Sequence, residues 1–286
     1  MRLISFSTAD TPFPRLGAVR DQQVIELPGT MMDLLRGGDA AMLRVRDTVA
    51  RTVPTLELAK VKLHAPVTNP GKILAIGLNY ADHVAESGMA TPKHQMWFNK
   101  QHNCINGPYN TINLPSVSSA LDYEAELVVI IGKRCKHVPK ERAAEVIAGY
   151  CVGNDVSVRD WQMRAQTMQI GKSFDTHGPI GPWMVTPDEV GDPHTLDIRG
   201  WVNGELRQHS NTKHLIFNCF DAIAHLSQAF TLDAGDVLFM GTPSGVGAAM
   251  KPPHFLKDGD VVKIEIDRLG FIENRVAPEA AVTLIG

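Results

Sequence analysis

The sequence of 286 residues lacks the features that would assign it to a membrane, a secretory route or a nucleic acid. No uninterrupted apolar run is long enough for a membrane-spanning helix, and the first residues lack the apolar run of a signal peptide. Acidic and basic residues are interspersed with a formal net charge of −3, so there is no basic stripe for nucleic acid. These absences predict a cytoplasmic protein that binds neither membranes nor nucleic acids.

The four cysteines have no C-x-x-C spacing; they are Cys104, Cys135, Cys151 and Cys219. This spacing indicates neither a zinc knuckle nor a disulfide framework, and we expect reduced, partly buried thiols. The sequence has no internal repeat or low-complexity tract. Its hydrophobic fraction of 44% can bury the core of one large domain, or of a small domain beside a larger one.

A break in the local pattern divides the chain into two parts. Three short apolar segments before residue 28 are typical of strands, with Asp21-Gln22 as a hairpin turn, and a helical pattern begins near Met31. The segment 66–70 then interrupts both patterns with proline and asparagine. We therefore predict a small N-terminal domain, 1–66, with a packing or dimerisation role, and a catalytic domain, 70–286.

The most informative stretch is 121–132, an apolar strand with two carboxylates near its start. Side chains two residues apart share one face of a strand, so Glu124 and Glu126 are expected side by side. They repel each other unless a cation lies between them, and Mg²⁺ or Mn²⁺ prefers oxygen ligands. Asp155, just past another apolar run, is a third candidate ligand. The alternatives are a solvated strand and a turn aspartate, although the continuous apolar run 127–131 favours a buried strand.

Two other segments carry residues suited to acid–base chemistry and anion binding. On a short helix that ends at Gly88, His83 and Glu86 are three residues apart and face the same way. The carboxylate can orient the imidazole as a general base, or the two can form an ordinary surface ion pair. Lys172, between a glycine and a serine, can receive a substrate carboxylate or an oxyanion; a solvated surface lysine is the alternative.

The remaining sequence is rich in strand patterns. Asn203-Gly204 is a strong hairpin signal, and 215–230 has the apolar spacing of an amphipathic helix. The strand 237–240 runs into the loop 241–247, which can present backbone amides and the Thr242 hydroxyl to an anion. This loop lacks the lysine and the spacing of a P-loop.

Taken together, five blocks resemble the fumarylacetoacetate hydrolase family, C-terminal catalytic domain, over about Lys72 to Glu273. The blocks are Gly77–His83, Asp122–Leu127, Gly153–Asp160, Gly171–Thr176, and Gly235–Val237 with Gly241–Gly247. The resemblance extends to the subgroup of acylpyruvases and 2-hydroxyhepta-2,4-diene-1,7-dioate isomerases. It implies an α+β, mainly β fold, a mixed β-sandwich roll with peripheral helices, preceded by a small N-terminal domain and usually assembled as a homodimer.

The same resemblance implies roles for side chains around one metal-dependent site. The implied ligands of Mg²⁺ or Mn²⁺ are Glu124, Glu126 and Asp155. The implied catalytic residues are His83, Glu86, Lys172 and Gln162. The implied substrate-binding residues are Arg159 and Thr242. In the family's hydrolases, the histidine and glutamate lie on a lid and activate water.

These roles imply a hydrolase that cleaves a C–C bond in acylpyruvate-type 2,4-diketo acids, such as fumarylpyruvate-like products of aromatic ring cleavage, and releases pyruvate. In that mechanism the metal acts as a Lewis acid on the 2-oxo acid, and His83 deprotonates the attacking water. The same site also suits a lyase or isomerase that decarboxylates oxaloacetate or tautomerises a 2-hydroxydienoate, because all these reactions develop an enolate. A metal-binding protein without catalytic activity is the third alternative.

Overall fold

The computed structural model describes residues 1–280 and 282–285. The strands are β1 Arg2–Thr8, β2 Thr11–Arg20, β3 Gln23–Glu26, β4 Leu56–Glu57, β5 Lys62–His64, β6 Ile73–Gly77, β7 Met96–Lys100, β8 Ile105–Asn106, β9 Ile112–Leu114, β10 Leu121–Asp122, β11 Ala125–Ile131, β12 Ile147–Asn154, β13 Ser157–Val158, β14 Gly178–Val185, β15 Asp197–Val202, β16 Glu205–Asn211, β17 Val237–Phe239, β18 Val261–Ile266 and β19 Gly270–Pro278. The α-helices are α1 Met31–Arg36, α2 Gly38–Arg51, α3 Ala81–Ser87, α4 Arg159–Gln162, α5 Pro187–Val190 and α6 Cys219–Ala229. None of the helices in the described part of the chain is long and apolar enough to cross a membrane.

Two large sheets form the body of the protein. The first has 12 strands in the order β4-β3-β2-β1-β14-β12-β11-β17-β6-β7, with β5 on β1 and β8 on β14. The second has five strands in the order β16-β15-β18-β19-β9. Buried apolar residues of both sheets and of α6 share one core, and α1 and α2 cover the opposite face of the first sheet. This arrangement confirms the predicted α+β, mainly β fold with peripheral helices.

The strand β11 lies in the middle of the first sheet because its sequence is apolar on both faces. All seven of its residues are buried. Leu127 and Val129 pack into the core between the sheets, whereas Val128 and Ile130 pack into the core under the helices. A continuous apolar run without alternation is the pattern of a strand covered on both sides, as the sequence predicts.

The predicted single strand over 121–132 is wrong in one respect, because the chain leaves the sheet at Tyr123 and Glu124. β10 pairs with β13 in a separate two-stranded sheet, and only β11 belongs to the large sheet. The Glu124 N–H donates to the Asn154 side-chain oxygen at 3.0 Å, and the Asp155 N–H donates to the Glu124 carbonyl at 3.0 Å. These bonds satisfy the backbone where the strand ladder stops.

The predicted N-terminal strands, their hairpin turn and the onset of a helix near Met31 are confirmed. Asp21 and Gln22 have φ of 50° and 61°, which suits a tight hairpin whose twist matches its strands. The sheet does not stop at the predicted boundary, since β1 pairs with β14 and Leu3 shares a core with Val128. The division into domains at 66–70 stays a prediction.

Two predictions in the C-terminal part are also confirmed. Asn203 and Gly204, with φ of 52° and 81°, connect β15 to β16. The amphipathic helix begins at Cys219, four residues later than the pattern predicts, because Asn218 accepts hydrogen bonds from the Phe220 and Asp221 N–H groups and caps the first turn.

Candidate active site

The pairing of β11 with β12 brings the acidic residues together. The two strands are antiparallel with Glu126 opposite Gly153, so the start of β11 meets the end of β12 at one edge of the sheet. Glu124, Glu126 and Asp155 each place a carboxylate oxygen within 4.8 Å of the others. All three side chains are buried.

Close packing of these carboxylates perturbs their protonation. Burial raises the pKa of Glu126 well above its usual range, and the negative charges of Asp155 and Glu124 raise it further. Burial also opposes ionisation of Glu124, but Lys172 and Arg159 outweigh it and lower the pKa to about 2. The neighbouring cations thus stabilise the charge of Glu124, whereas for Glu126 burial and the two other carboxylates outweigh them.

Two buried lysines neutralise part of this charge. The Lys172 ammonium donates to Glu124 Oε2 at 2.6 Å and to Asp155 Oδ2 at 2.8 Å. The Lys100 ammonium donates to Asp155 Oδ1 at 2.6 Å and also to the Lys172 carbonyl. Burial lowers the pKa of Lys172, but Asp155 and Glu124 outweigh it and raise the pKa, so the amine keeps its charge. Lys172 is therefore not a solvated surface lysine.

Sequence analysis missed Lys100 as a member of the site. In the sequence, Lys100 stands at the end of an apolar strand pattern. Lysine side chains are rarely buried, so this position did not indicate that Lys100 is only 3% exposed. The partner Asp155 lies 55 residues away in sequence, so local spacing could not pair them.

Arg159 connects the carboxylates to the loop after β17. Its Nε donates to Asp122 Oδ2 at 2.8 Å, and its Nη1 lies 2.7 Å from Glu124 Oε1. Asp122 also accepts the N–H groups of Gly247 at 2.8 Å and Ala248 at 2.9 Å. The third nitrogen, Nη2, is buried and makes no hydrogen bond within residues 1–280 and 282–285. Arg159 thus has one nitrogen, Nη2, whose N–H groups are available to a ligand beside the carboxylates.

The predicted dyad lies on α3, which ends where Gly88 adopts φ of 67°. His83 Nδ1 is 3.2 Å from Glu86 Oε2, and Glu86 Oε1 accepts the Gly245 N–H at 2.9 Å. The carboxylate assigns the proton to Nδ1 and leaves Nε2 as the basic nitrogen. Glu86 therefore orients the imidazole and also ties the helix to the loop after β17.

A cavity of about 490 Å³ opens onto this cluster. Predicted site residues that line it are His83, Glu124, Glu126, Arg159, Gln162, Lys172 and Thr242. The other two predicted residues, Glu86 and Asp155, are hydrogen-bonded to His83 and Lys172 respectively. Gln162 Oε1 accepts from Arg159 Nη1 at 3.0 Å, and Thr242 Oγ1 accepts from Gln208 at 2.8 Å. The structure thus brings all nine residues to one site.

The donor set fits a hard divalent cation. Glu124, Glu126, Asp155 and the adjoining Asp122 supply four negative charges, whereas Lys172, Lys100 and Arg159 return three positive charges to the same cluster. The excess negative charge falls on Glu126, whose ionisation is disfavoured by burial and by the charges of Asp155 and Glu124. All three ligand groups are carboxylates, the class that Mg²⁺ and Mn²⁺ prefer over softer metals.

His177, which follows the Lys172 loop in sequence, is not among the residues that line this cavity. It is fully buried and stacks on Phe174 with ring centroids 5.5 Å apart. Its Nε2 donates to the Asn113 carbonyl at 2.8 Å, while its Nδ1 has no partner among the described residues. Burial lowers the pKa of His177 to about 4, so the ring is neutral and structural.

Comparison with known proteins agrees with this geometry. The family model described as fumarylacetoacetate (FAA) hydrolase C-terminal matches residues 72–277. Mitochondrial oxaloacetate tautomerases of Xenopus laevis and Homo sapiens are each 43% identical to this chain, covering 96% of it and 90% and 91% of theirs.

Two solved structures share the architecture. The maleylpyruvate hydrolase of Sphingobium sp. SYK-6, in complex with manganese(II) and pyruvate, is 32% identical with a TM-score of 0.82, covering 97% of this chain and 99% of that one. The 2-hydroxyhepta-2,4-diene-1,7-dioate isomerase of Mycobacterium marinum is 30% identical with a TM-score of 0.77, covering 98% and 99%.

Proposed function

Since the chain belongs to the fumarylacetoacetate hydrolase family and is an enzyme of that family, we propose that it is a divalent-metal-dependent tautomerase that interconverts the enol and keto forms of oxaloacetate or a related 2-oxo acid. One observation carries the proposal: a hydrogen-bonded histidine base and a set of three carboxylate ligands share a single cavity. Tautomerisation needs only these two components, a base for the carbon-bound proton and a positive charge at the oxygen. The tautomerases above match 96% of the chain at 43% identity, and this favours the proposal over the hydrolase expected from the sequence.

Glu124, Glu126 and Asp155 would hold the metal, and Mg²⁺ and Mn²⁺ both suit these oxygen donors. When bound, the ion would supply Lewis-acid stabilisation of negative charge on the 2-oxo oxygen. Lys172 donates two of its three N–H groups to carboxylates, which leaves one for a substrate oxygen. Arg159 contributes the unused Nη2 donor to the same region.

In this proposal, His83 carries out the proton transfers. Its Nε2 takes a proton from C3 of the keto acid, and the imidazolium then gives that proton to the C2 oxygen; the reverse transfers restore the keto form. Glu86 keeps the proton on Nδ1 and stabilises the imidazolium that forms in between. The bond from Gly245 to Glu86 holds the base against the loop that carries Thr242.

The test follows loss of the ultraviolet absorbance of enol-oxaloacetate with Mg²⁺ or Mn²⁺ present. The wild-type protein should exceed the rate with metal alone, and His83→Gln should lower the enzymatic rate by about 10²- to 10⁴-fold. His209→Gln, at an exposed position that does not line the cavity, should keep wild-type turnover. A wild-type rate no higher than that of metal and buffer would reject the proposal.

A second candidate is the C–C hydrolysis of acylpyruvates, because a base with its Nδ1 fixed by a carboxylate is also the arrangement that activates water. Incubation with acetylpyruvate and a coupled assay for pyruvate tests it. Pyruvate release that is abolished by His83→Gln, with no acceleration of oxaloacetate tautomerisation, would favour this candidate. The homodimer and the cytoplasmic location remain predictions, and light scattering measures the first of them.

A further inference from the structure

The cavity is far larger than a four-carbon acid requires. Its volume of about 490 Å³ falls in the range of pockets that enclose drug-sized molecules, roughly 300–1,000 Å³. Its ionisable groups are concentrated at one end, around Glu124, Glu126 and Lys172. Most of the remaining wall is apolar, so the part of the cavity beyond the reacting atoms favours apolar groups.

Methionine dominates that apolar wall. The residues that define it, here named the methionine chamber, are Met89, Met96, Met163, Met168 and Phe98. Met163 is 81% exposed, Met89 55% and Met96 40%, although large apolar side chains are normally buried. Methionine is flexible and polarisable and adapts to varied apolar partners. The chamber therefore presents apolar surface that contacts solvent unless a ligand covers it.

Among the described residues that line the cavity, no cation contacts the chamber apart from Lys172, whose ammonium lies 5.1 Å from the centroid of the Phe98 ring. The lining cations are Lys172 and Arg159, and both contact Glu124 at the polar end. Lys172 is held by two carboxylates, and Arg159 keeps only Nη2 unused. His83 also lies near Glu124, whose pKa it helps to lower. A second carboxylate far from the reacting end of a long substrate would lose its hydration without finding a partner, whereas an apolar chain would gain from burial.

We propose that the methionine chamber binds the apolar tail of the substrate, so that the enzyme acts on 2-oxo acids with an aliphatic or aromatic substituent at C3, such as arylpyruvates, as well as on oxaloacetate. The inference rests on the proposed function, because the same proton transfer is required. The C3–H bond breaks, an O–H bond forms at C2, and no oxidant or co-reactant is consumed. Oxaloacetate occupies only the polar end.

A homologous series of inhibitors measures the chamber directly. N-alkyl oxamates carry the paired oxygens of a 2-oxo acid and a tail of adjustable length. Inhibition of oxaloacetate turnover should become about fourfold stronger for each added methylene until the chamber is filled. The enol–keto conversion of phenylpyruvate should also be accelerated. Equal affinity across the series, or failure to turn over phenylpyruvate by a protein that does turn over oxaloacetate, would overturn the proposal.

Variants assign the effect to the chamber. Met163→Glu should abolish the dependence on chain length, since it puts a charge on the apolar wall, and Met163→Leu should retain it. Leu43→Glu, 63% exposed on α2 and outside the cavity, is the matched control and should keep the wild-type dependence. A thermal melt verifies folding of each variant. If Met163→Glu converts a dimer into a monomer while the dependence persists, the exposed methionines form a subunit interface and the proposal is overturned.

Calorimetry with the metal-loaded protein separates this inference from the proposed function. If oxaloacetate and phenylpyruvate are not turned over but oxamate affinity rises with tail length, the reaction is misassigned while the apolar subsite stands. If oxaloacetate is turned over and oxamate affinity does not change along the series, the proposed function stands and the subsite is refuted.

Discussion

Replacing Glu126 by glutamine tests whether the three carboxylates hold a divalent cation. Without a cation, burial and the charges of Asp155 and Glu124 disfavour ionisation of Glu126 and raise its pKa. Glutamine keeps the shape and can still accept the Gly241 N–H, which lies 2.6 Å from Glu126 Oε2. We expect the metal-free variant to be at least as stable as the metal-free wild type, but to lose most of its response to metal.

The size of that response follows from linkage. A metal at about 100 times its dissociation constant stabilises the folded state by about 2.7 kcal/mol. At roughly 2.1 cal/mol/K per residue, the 286 residues have an unfolding entropy of about 0.6 kcal/mol/K, so Tm should rise by about 4–5 °C. If loss of one ligand weakens binding about 100-fold, the same concentration leaves about 0.4 kcal/mol, which is less than about 1 °C.

The assay is a thermal melt after dialysis against a chelator, with Mg²⁺ and Mn²⁺ titrated back. Glu145→Gln is the control, because that carboxylate is 54% exposed and pairs with Arg142 at the surface. The control should show the full rise in Tm. A rise in Glu126→Gln as large as that of the wild type would refute the assignment of Glu126 as a ligand.

The remaining predictions concern stability. Gly245→Ala should cost about 2–5 kcal/mol by urea denaturation, since φ is 99° and an added Cβ would lie 1.9 Å from the Arg207 carbonyl oxygen. Gly204→Ala, with φ of 81° but no atom within 4 Å, should cost less, and equal costs would contradict the argument. Because burial lowers the pKa of His177 from 6.5 to about 4, the unfolded chain binds the extra proton in that window. Stability should fall by up to about 3 kcal/mol as the pH drops from 6.5 to 4, and His177→Gln should flatten that slope; an unchanged slope would show that other groups cause it.

Local pattern predicted the acidic cluster well because its determinants are close in sequence. The two-residue spacing of Glu124 and Glu126, followed by the unbroken apolar run, fixes a buried strand end with two carboxylates. Local pattern also raised Asp155 and the dyad, each with an ordinary alternative, and the family resemblance then favoured their functional roles. The interruption at Tyr123 was not visible, since it depends on the side chain of Asn154 in the neighbouring strand.

Contacts between distant segments explain what the sequence did not show. Lys100 looks like the polar end of an edge strand, and only the assembled fold turns its amine toward Asp155. In the sequence, Asp122 looks like many aspartates found in turns. In the fold, it accepts the N–H groups of Gly247 and Ala248. Neither partnership has a periodic or spacing signal, because each joins segments that are brought together by the sheet.

The order of strands in the large sheet also bears on synthesis of the chain. Arg2 of β1 pairs with Val185 of β14, and Ile73 of β6 pairs with Val237 of β17. At a translation rate of roughly 5–20 residues per second, β1 would wait about 10–40 s for its partner strand to leave the ribosome. During that delay Arg2 and Leu3, which β5 does not cover, can pair with other nascent chains. The topology therefore leaves this end of β1 without its final partner until most of the chain has been synthesised.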